Sequence, residues 1–318
     1  MMLKQKLPQN KLQPSVKNNM FKRILRFWPL YMMLLPCIIY YVVFCYIPMG
    51  GITLAFKDYS FRKGILGSPW VGLRYFKTFW NSYDRNRLLL NTLNIGLIKT
   101  FLEFPFAILL ALMLNEVNNL RFKKITQTIS YLPHFLSSVI IVTMLQRLLA
   151  PNTGALNQVK QMFGGDPATF YLMDSKYFYR ILFGMDIWMN IGWDSIIYLA
   201  AMSNVDIEQY EAGEMDGCGK LRKIWHITLP GIRTTIGLLF IMRVGGLLSS
   251  GYDQIFLLRT PGNMSVADTL DLFVIRTGLT GGQFGYATAV GLIQSVIGLL
   301  LVISTNMLSK KFTEVSLW

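Results

Sequence analysis

The sequence predicts an all-α integral membrane protein, a six-transmembrane-helix bundle with a cytoplasmic helical loop, from three observations. First, 53% of the 318 residues are hydrophobic and only 15% are charged, whereas soluble domains average about 25% charged residues. Second, six apolar runs approach the roughly 20 residues that a helix needs to cross a bilayer core about 30 Å thick. Third, a polar segment of helical pattern separates the fourth run from the fifth. One membrane domain accounts for all three observations.

The apolar runs place the spans in order along the chain. A basic tail, residues 1–27, precedes a transmembrane domain at 28–318. The predicted spans are about 28–48, 88–115, 125–150, 180–202, 233–258 and 284–309, and the polar loop is 203–233. The tail is rich in Lys, Gln, Asn and Pro, so we expect it to be loosely ordered.

The first run has a competing interpretation as a cleaved signal peptide, because it follows a basic stretch that contains Lys17, Lys22, Arg23 and Arg26. The run is long, is interrupted by Pro36, and lacks a small-residue cleavage motif at its end. We therefore predict that it is retained as a membrane anchor.

The distribution of Lys and Arg predicts the orientation. With the N-terminus inside, the cytoplasmic segments 1–27, 116–124, 203–233 and 310–318 hold 16 basic residues. The outer segments 57–87, 151–180 and 259–283 hold 12. Cytoplasmic loops of membrane proteins are enriched in basic residues, and the first span usually dominates. Both termini and the loop 203–233 are therefore predicted to be cytoplasmic.

The net charge of +14 does not indicate nucleic-acid binding, because the basic residues form short clusters that flank apolar runs. Cys37, Cys45 and Cys218 form no C-x-x-C pair, and His134 and His226 lie far apart in the sequence. Metal and disulfide chemistry are therefore not expected.

The polar loop carries the most specific motif of the chain. Residues 211–230 read EAGEMDGCGKLRKIWHITLP. This stretch resembles the E-A-A-x3-G-x9-I-x-L-P loop of binding-protein-dependent ABC importer permeases. The positions in register are Glu211, Ala212, Gly217, Ile227, Leu229 and Pro230, and Gly213 stands where the pattern has its second Ala.

The loop predicts two short helices joined at a glycine. Ser203 or Asn204 can cap the first helix, and Gly217 fits the turn that ends it. Pro230 is predicted to end the second helix before the fifth span. The second helix has its apolar residues on one predicted face, namely Leu221, Ile224, Trp225 and Leu229.

A docking surface explains this loop better than a plain amphipathic connector. Ala212 and Gly213 have almost no side chain, so a partner surface can approach their backbone closely. Glu211 offers a carboxylate to a basic partner residue, and Asp216 belongs to the same predicted surface. The dipeptide Gly219-Lys220 matches the end of the phosphate-binding pattern G-x-x-x-x-G-K-[ST]. However, Glu214 stands in place of its first glycine and Leu221 in place of its Ser or Thr. The chain itself is therefore not expected to bind ATP.

The resemblance extends over nearly all of the chain beyond its tail. Several strings are similar to permeases for complex oligosaccharides, the polysaccharide-transport permease B type. These strings are Trp70-Val-Gly-Leu, Asn91-Thr-Leu, QTISYLPHF at 127–135, Ile197-Tyr-Leu-Ala-Ala, Tyr252-Asp-Gln-Ile-Phe, Tyr286-Ala-Thr-Ala-Val-Gly-Leu and a chain that ends in Trp318. The expected fold is an ABC importer permease bundle whose coupling-helix loop is 203–233.

The resemblance implies a set of partners in a bacterial cytoplasmic membrane. They are a second related permease, two cytoplasmic ABC ATPase subunits that bind ATP and Mg, an extracytoplasmic sugar-binding protein, and lipid. No cofactor is expected in this chain. ATP binding would close the ATPase dimer and draw the docking loops together, which opens the spans outward.

Ionisable residues within spans usually face a bundle interior or a water-filled cavity. Lys99 and Glu103 lie four residues apart in the second span and are predicted to pair with each other. Sugars are bound by aromatic faces and planar polar groups. The candidate substrate-path residues are Trp188, Asn190, Trp193, Asp194, Tyr252, Asp253 and Gln254. The second permease could hold the sugar site instead.

Two other functions compete with the importer. An ion-coupled secondary transporter could use Lys99, Glu103, Asp186 and Asp194 as a relay, but such a carrier has no need of a docking loop. An intramembrane enzyme would need a nucleophile–base pair or a metal set, and neither is evident.

Overall fold

The structure, a computed structural model, describes residues 27–249 and 251–313. These residues are nearly all helical, and the one extended pairing among them is an antiparallel bridge between Lys57 and Trp70. The all-α membrane fold class is therefore confirmed. The basic tail, apart from Phe27, lies outside the described residues, as does Trp318.

The described chain falls into two units that divide between Gly51 and Ile52. In the first unit, helix α1 (Trp28–Tyr40) continues through a π-helical turn, Tyr41–Tyr46, to Ile47–Met49. A 3-10 segment, Gly50–Phe56, follows.

The second unit is a succession of helices. Its longer α-helices are α2 (Arg74–Trp80), α3 (Arg85–Ile98), α4 (Phe104–Asn115), α5 (Leu120–Tyr131), α6 (Ser138–Leu148), α7 (Ala155–Met162), α8 (Ser175–Met202), α9 (Ile207–Met215), α10 (Arg233–Gly245), α11 (Tyr252–Leu258), α12 (Leu270–Ile275) and α13 (Phe284–Thr313). Short α-helical turns are Gly64–Gly67, Lys220–Lys223, Leu229–Gly231 and Met264–Ala267. A 3-10 turn covers Leu132–Phe135, and π-helical turns cover Lys99–Glu103, Ile224–Thr228 and Arg276–Thr280.

Within the described residues, three helical stretches are long and apolar enough to cross a membrane. They begin at Trp28, Arg85 and Phe284. Two further pairs of helices are joined at a sharp bend. The bend is 97° between α5 and α6, and 66° between Lys220–Gly231 and α10. The number of spans rises to five if each bent pair is one span. Helix α8 covers the fourth predicted span with 28 residues but is not among these stretches. The count of six spans stays a prediction.

Helix α8 connects two hydrophobic clusters of the second unit. Toward its N-terminus, Leu182 and Met185 pack in one cluster with Ile141 of α6 and Ile255 of α11. Toward its C-terminus, Tyr198 and Met202 pack in another with Ala107 and Ala111 of α4. Because one rigid helix contributes to both clusters, it links the regions that they stabilise.

Close contact between α8 and α5 depends on Gly192. A Cβ at this position would overlap the backbone carbonyl of Ser130 in α5. Small residues at helix crossings in membranes allow backbones to approach and pack. Gly184 lies two turns earlier on the same helix and has open space where a Cβ would stand.

We expect Gly192→Ala to lower the stability of the protein, because α5 and α8 must move apart. Overpacking of this kind costs about 1–3 kcal/mol. Gly184→Ala adds the same methyl group to the same helix and is the matched control, for which no loss is expected. The measurement is the midpoint of thermal unfolding of each variant purified in detergent. Equal midpoints for the two variants would contradict the packing role of Gly192.

Candidate functional site

Helix α9 begins after Asp206, whose side chain accepts a hydrogen bond from the backbone N–H of Glu208 at 3.1 Å. The prediction that Ser203 or Asn204 caps this helix is wrong. Both side chains instead donate to the carbonyl of Ala200 in the last turn of α8, at 2.7 and 3.1 Å. The last carbonyl groups of a helix have no backbone partner, and these two side chains bond one of them. Asp206, and neither Ser203 nor Asn204, therefore caps α9.

Helix α9 ends at a glycine turn. Gly217 has a φ of +72°, which other residues rarely adopt. The N–H of Cys218 donates to the carbonyl of Gly213 at 2.8 Å, and the N–H of Gly217 donates to the carbonyl of Glu214 at 3.0 Å. These two bonds form a Schellman turn. Gly217 therefore ends the helix as the sequence predicts.

The chain then reverses direction and continues as a second helical arm, Lys220–Gly231. We call α9, the glycine turn and this second arm the elbow, which covers residues 206–231. The hydroxyl groups of Tyr210 and Thr228 lie 3.0 Å apart and connect the two arms. The side chains of Lys223 and Glu214 form an ion pair across the elbow. The hydrogen bond from Lys223 holds the pKa of the Glu214 carboxyl below its usual range. The two arms are thus bonded along their length.

The apolar residues of the second arm, predicted from α-helical spacing to share one face, differ in their exposure. Ile224 and Leu229 are half-buried, whereas Leu221 and Trp225 are 74% and 68% exposed. The π-helical turn adds a residue to the turn and shifts the side chains that follow. Two large apolar side chains are therefore available at the surface of the elbow.

The second helix ends at Gly231, one residue after the predicted end at Pro230. Pro230 lies in the last turn of the continuous helical stretch Lys220–Gly231, directly after the π-helical residues Ile224–Thr228, and it has no N–H to donate to that turn. The helix breaks at Ile232, and the chain bends by 66° into α10. The bend, rather than Pro230, separates the elbow from the next apolar helix.

Gly213 does not form part of an open surface. The prediction that a partner surface approaches its backbone is therefore corrected. Gly213 is buried, and a Cβ at this position would lie 2.9 Å from Cδ1 of Ile227 in the second arm. The two preceding residues, Glu211 and Ala212, are exposed, and so is Asp216. The elbow therefore uses Gly213 and Ile227 to join its arms, and it presents Glu211 and Ala212 outward.

A second candidate site is a cavity of about 530 Å³ among the helices α3, α8, α10 and α11. Polar and charged side chains from α8, α10, α11 and the π-helical turn after α3 reach its surface, and α3 itself contributes Gly96. The charged and amide residues that line it are Lys99, Glu103, Asp186, Asn190, Arg243, Asp253 and Gln254. A polar cavity among apolar helices is the arrangement expected of a path for a hydrophilic solute.

Lys99 connects three segments at this cavity. Its ammonium group forms an ion pair with Asp186 of α8 and donates to the amide oxygen of Gln254 of α11 at 3.2 Å. The predicted pair of Lys99 with Glu103 is therefore replaced. The π-helical turn over these two residues alters their relative direction, and the nearer carboxylate belongs to another helix.

Arg243 connects two more segments. Its guanidinium group forms an ion pair with Glu103 and donates to Asp194 of α8 at 3.4 Å. Glu103 and Asp186 are both buried, and such carboxylates are stable in a membrane protein only when they are paired. Two cations thus connect the π-helical turn after α3 with helices α8, α10 and α11.

The structure brings four of the seven predicted substrate-path residues together. Asn190, Tyr252, Asp253 and Gln254 line the cavity. The amide of Asn190 donates to Asp186 at 3.2 Å, and its oxygen lies 3.1 Å from Nδ1 of His134.

The other three predicted residues lie elsewhere on α8. Asp194 lines a neighbouring cavity of about 260 Å³ with Arg243. Trp193 stacks on His134 with ring centroids 4.6 Å apart. Trp188 lines an apolar cavity of about 370 Å³ that also includes Leu145. None of these three lines the larger cavity.

The candidate set from sequence omitted four charged residues that line the larger cavity. They are Lys99, Glu103, Asp186 and Arg243. The signal for them was present, because each is an ionisable residue inside an apolar run. Spacing within one helix led to a local pair instead of a cavity shared by several helices.

Comparison with known proteins identifies several relatives. The chain is 42% identical over 289 residues to the protein LplB of Bacillus subtilis (strain 168), and the match covers 91% of each chain. It is 45% identical over 285 residues to the polygalacturonan/rhamnogalacturonan transport system permease protein YteP of the same organism, covering 90% of this chain and 88% of YteP.

Solved structures and a family model agree with these relatives. A structure of a bacterial ABC transporter involved in the import of the acidic polysaccharide alginate matches with a TM-score of 0.86 and 38% identity, covering 92% of this chain and 99% of that chain. Residues 103–314 match the model of the binding-protein-dependent transport system inner membrane component. The chain therefore belongs to the family of inner membrane components of binding-protein-dependent transport systems.

Proposed function

We propose that this chain is one of two related permease subunits in an ATP-driven importer of a complex oligosaccharide. Relatives named for polygalacturonan/rhamnogalacturonan transport, at 45% identity, and for alginate import, at 38% identity, support the substrate class. Family membership favours this function over an ion-coupled carrier or an intramembrane enzyme. The chain needs no cofactor of its own, and ATP and Mg are bound by partner subunits.

The elbow is the observation that carries the proposal. Its exposed Glu211 and Ala212, with the exposed side chains of Leu221 and Trp225, form a mixed polar and apolar surface on a loop outside the apolar runs. Protein interfaces combine such aromatic anchors with charged residues at the rim. This surface binds the ATPase subunit, and the bonded arms transmit its movement to α8 and α10.

The cavity lined by Lys99 and Arg243 forms this subunit's half of the oligosaccharide path. Hydroxyl groups of a sugar can exchange hydrogen bonds with the amides of Asn190 and Gln254, and the ring of Tyr252 offers an apolar face. The substrate path also includes Asp253 at this cavity. Trp188, Trp193 and Asp194, which lie elsewhere on α8, complete the proposed set.

The topology that we propose has six spans, both termini in the cytoplasm, and the elbow on the same side as the termini. The excess of basic residues in the segments then assigned to the cytoplasm supports it. The complex contains the second permease, two ATPase subunits and an extracytoplasmic sugar-binding protein.

The assembly is tested by co-purification. We expect the tagged chain, extracted gently from native membranes, to retain a second related permease together with the ATPase. The expected complex imports oligosaccharide only when its binding protein is present. An active importer reconstituted from this chain and an ATPase alone would contradict the proposed pair of permeases.

We expect Gly217→Pro to abolish uptake without preventing membrane insertion. Proline fixes φ near −65° and has no N–H, so the turn at φ +72° and its bond to Glu214 are both lost. Gly217→Ala should cost about 1–3 kcal/mol of local strain and reduce uptake partially. Gly219 has an ordinary φ of −70°, so Gly219→Ala is the matched control. Wild-type uptake in Gly217→Pro would show that the turn is not part of the coupling.

We expect Glu211→Lys to weaken attachment of the ATPase, because an attractive contact becomes repulsive at a cost of about 2–5 kcal/mol. Glu208→Lys makes the same charge change one turn earlier on α9. It should cost only about 0.3–1 kcal/mol through the helix dipole. The measurement is the amount of ATPase that co-purifies and the substrate-stimulated rate of ATP hydrolysis. If both variants retain equal amounts of ATPase, Glu211 is not at the interface.

A further inference from the structure

A second polar depression lies away from the cavity and has no lining residue in common with it. Its volume is about 410 Å³, and it is formed by the end of α12, the π-helical turn that follows, and the start of α13. Its side-chain lining is Phe273, Arg276, Thr277, Thr280, Gln283 and Tyr286. The size and the mixture of rings and polar groups are those of a small-ligand site.

Arg276 brings a positive charge to this depression, and its guanidinium group has hydrogen-bond donors that remain available. Its side chain is 44% exposed, and its Nη1 lies 3.7 Å from Oδ1 of Asp268, beyond hydrogen-bond distance. Asp268 is already bound by Arg259 at 2.9 Å and by Arg87 at 3.2 Å. A guanidinium has five donors in a planar fork that matches a carboxylate. Arg276 is therefore oriented by Asp268 and remains available to an anion.

Two aromatic rings form the apolar part of the depression. The rings of Phe273 and Tyr286 meet edge to face at 5.8 Å, and the guanidinium carbon of Arg276 lies 6.0 Å from the ring of Phe273. The exposed side chains of Thr280 and Gln283 supply a hydroxyl and an amide at the rim. Rings, hydroxyls and an amide suit the C–H face and the hydroxyl groups of a saccharide.

The neighbouring helix adds to the positive potential. Tyr75 of α2 has its ring 6.0 Å from that of Tyr286, so α2 lies beside the depression. Arg74 and Lys77 of the same helix are exposed. The segment 57–87 as a whole carries seven basic and two acidic residues. Such a concentration of one charge attracts ligands of the opposite sign.

We propose that this depression, the Arg276 site, binds a uronate unit of an acidic oligosaccharide, with the carboxylate on Arg276 and the ring against Phe273 and Tyr286. The proposal rests on the proposed importer function and on its topology, which place segments 57–87 and 259–283 on the outer side. An acidic side chain of the binding protein would use Arg276 but would leave the rings and the rim groups without a role. The site receives the substrate before it reaches the cavity.

The test measures saccharide binding to the whole importer in lipid nanodiscs without its binding protein. The probes are trigalacturonate and its methyl ester, which has the same rings without charge. We expect the acid to bind about tenfold more tightly than the ester, and the difference to shrink at high salt because exposed charges are screened. Arg276→Gln should remove the preference for the acid over the ester, and Gln283→Ala should weaken the binding of both probes. Arg62→Gln removes one exposed charge from the segment 57–87 outside the site, and it should weaken binding of the acid far less than Arg276→Gln does.

Three outcomes would overturn the proposal. The acid and the ester could bind equally, or Arg276→Gln and Arg62→Gln could have the same effect. Alternatively, Arg276→Gln could weaken docking of the empty binding protein while trigalacturonate binding is unchanged, which would assign Arg276 to a protein interface. If Arg276→Gln does not assemble, Gln283→Ala decides the question. An importer that transports only neutral oligosaccharides would contradict the Arg276 site and leave the proposed function intact.

Discussion

Charged groups inside a bilayer are costly unless they find partners, and the arrangement of the second unit depends on how this requirement is met. Lys99 and Arg243 each join carboxylates from other helices, so neither cation can be satisfied by one helix alone. The helices that carry these groups must therefore stay together around a polar interior. That interior contains the cavity of about 530 Å³ that these ionic side chains line.

Sequence reasoning succeeded where one residue type alone permits a conformation. Gly217 was predicted to end a helix, and it does so at a positive φ that a side chain would strain. The apolar runs likewise predicted the helical class, since a helix makes all of its backbone hydrogen bonds within one continuous segment of the chain. The family loop was identifiable because its spacing is fixed from Glu211 to Pro230.

Other assignments failed because another contact competed for the same side chain or the same space. Ser203 and Asp206 are both good helix caps, and the end of α8 takes Ser203. Gly213 is small enough for an open surface, but Ile227 of the second arm fills the space beside it. The Lys99–Glu103 pair obeyed helical spacing, yet a π-helical turn and the carboxylate of Asp186 overrode it. In each case the missing information was the neighbour, which a linear pattern does not contain.

The length of helix α8 has a geometric consequence for the distance between the cavity, where Asp186 lies, and the end of the helix next to the elbow. Asp186 lies 16 residues before Met202, a separation of about 24 Å along the helix at 1.5 Å per residue. A tilt of about 5° about the elbow end would move Asp186 by about 2 Å. A rigid helix of this length therefore converts a small rotation at its C-terminal end into a larger displacement at Asp186, which carries the ion pair with Lys99.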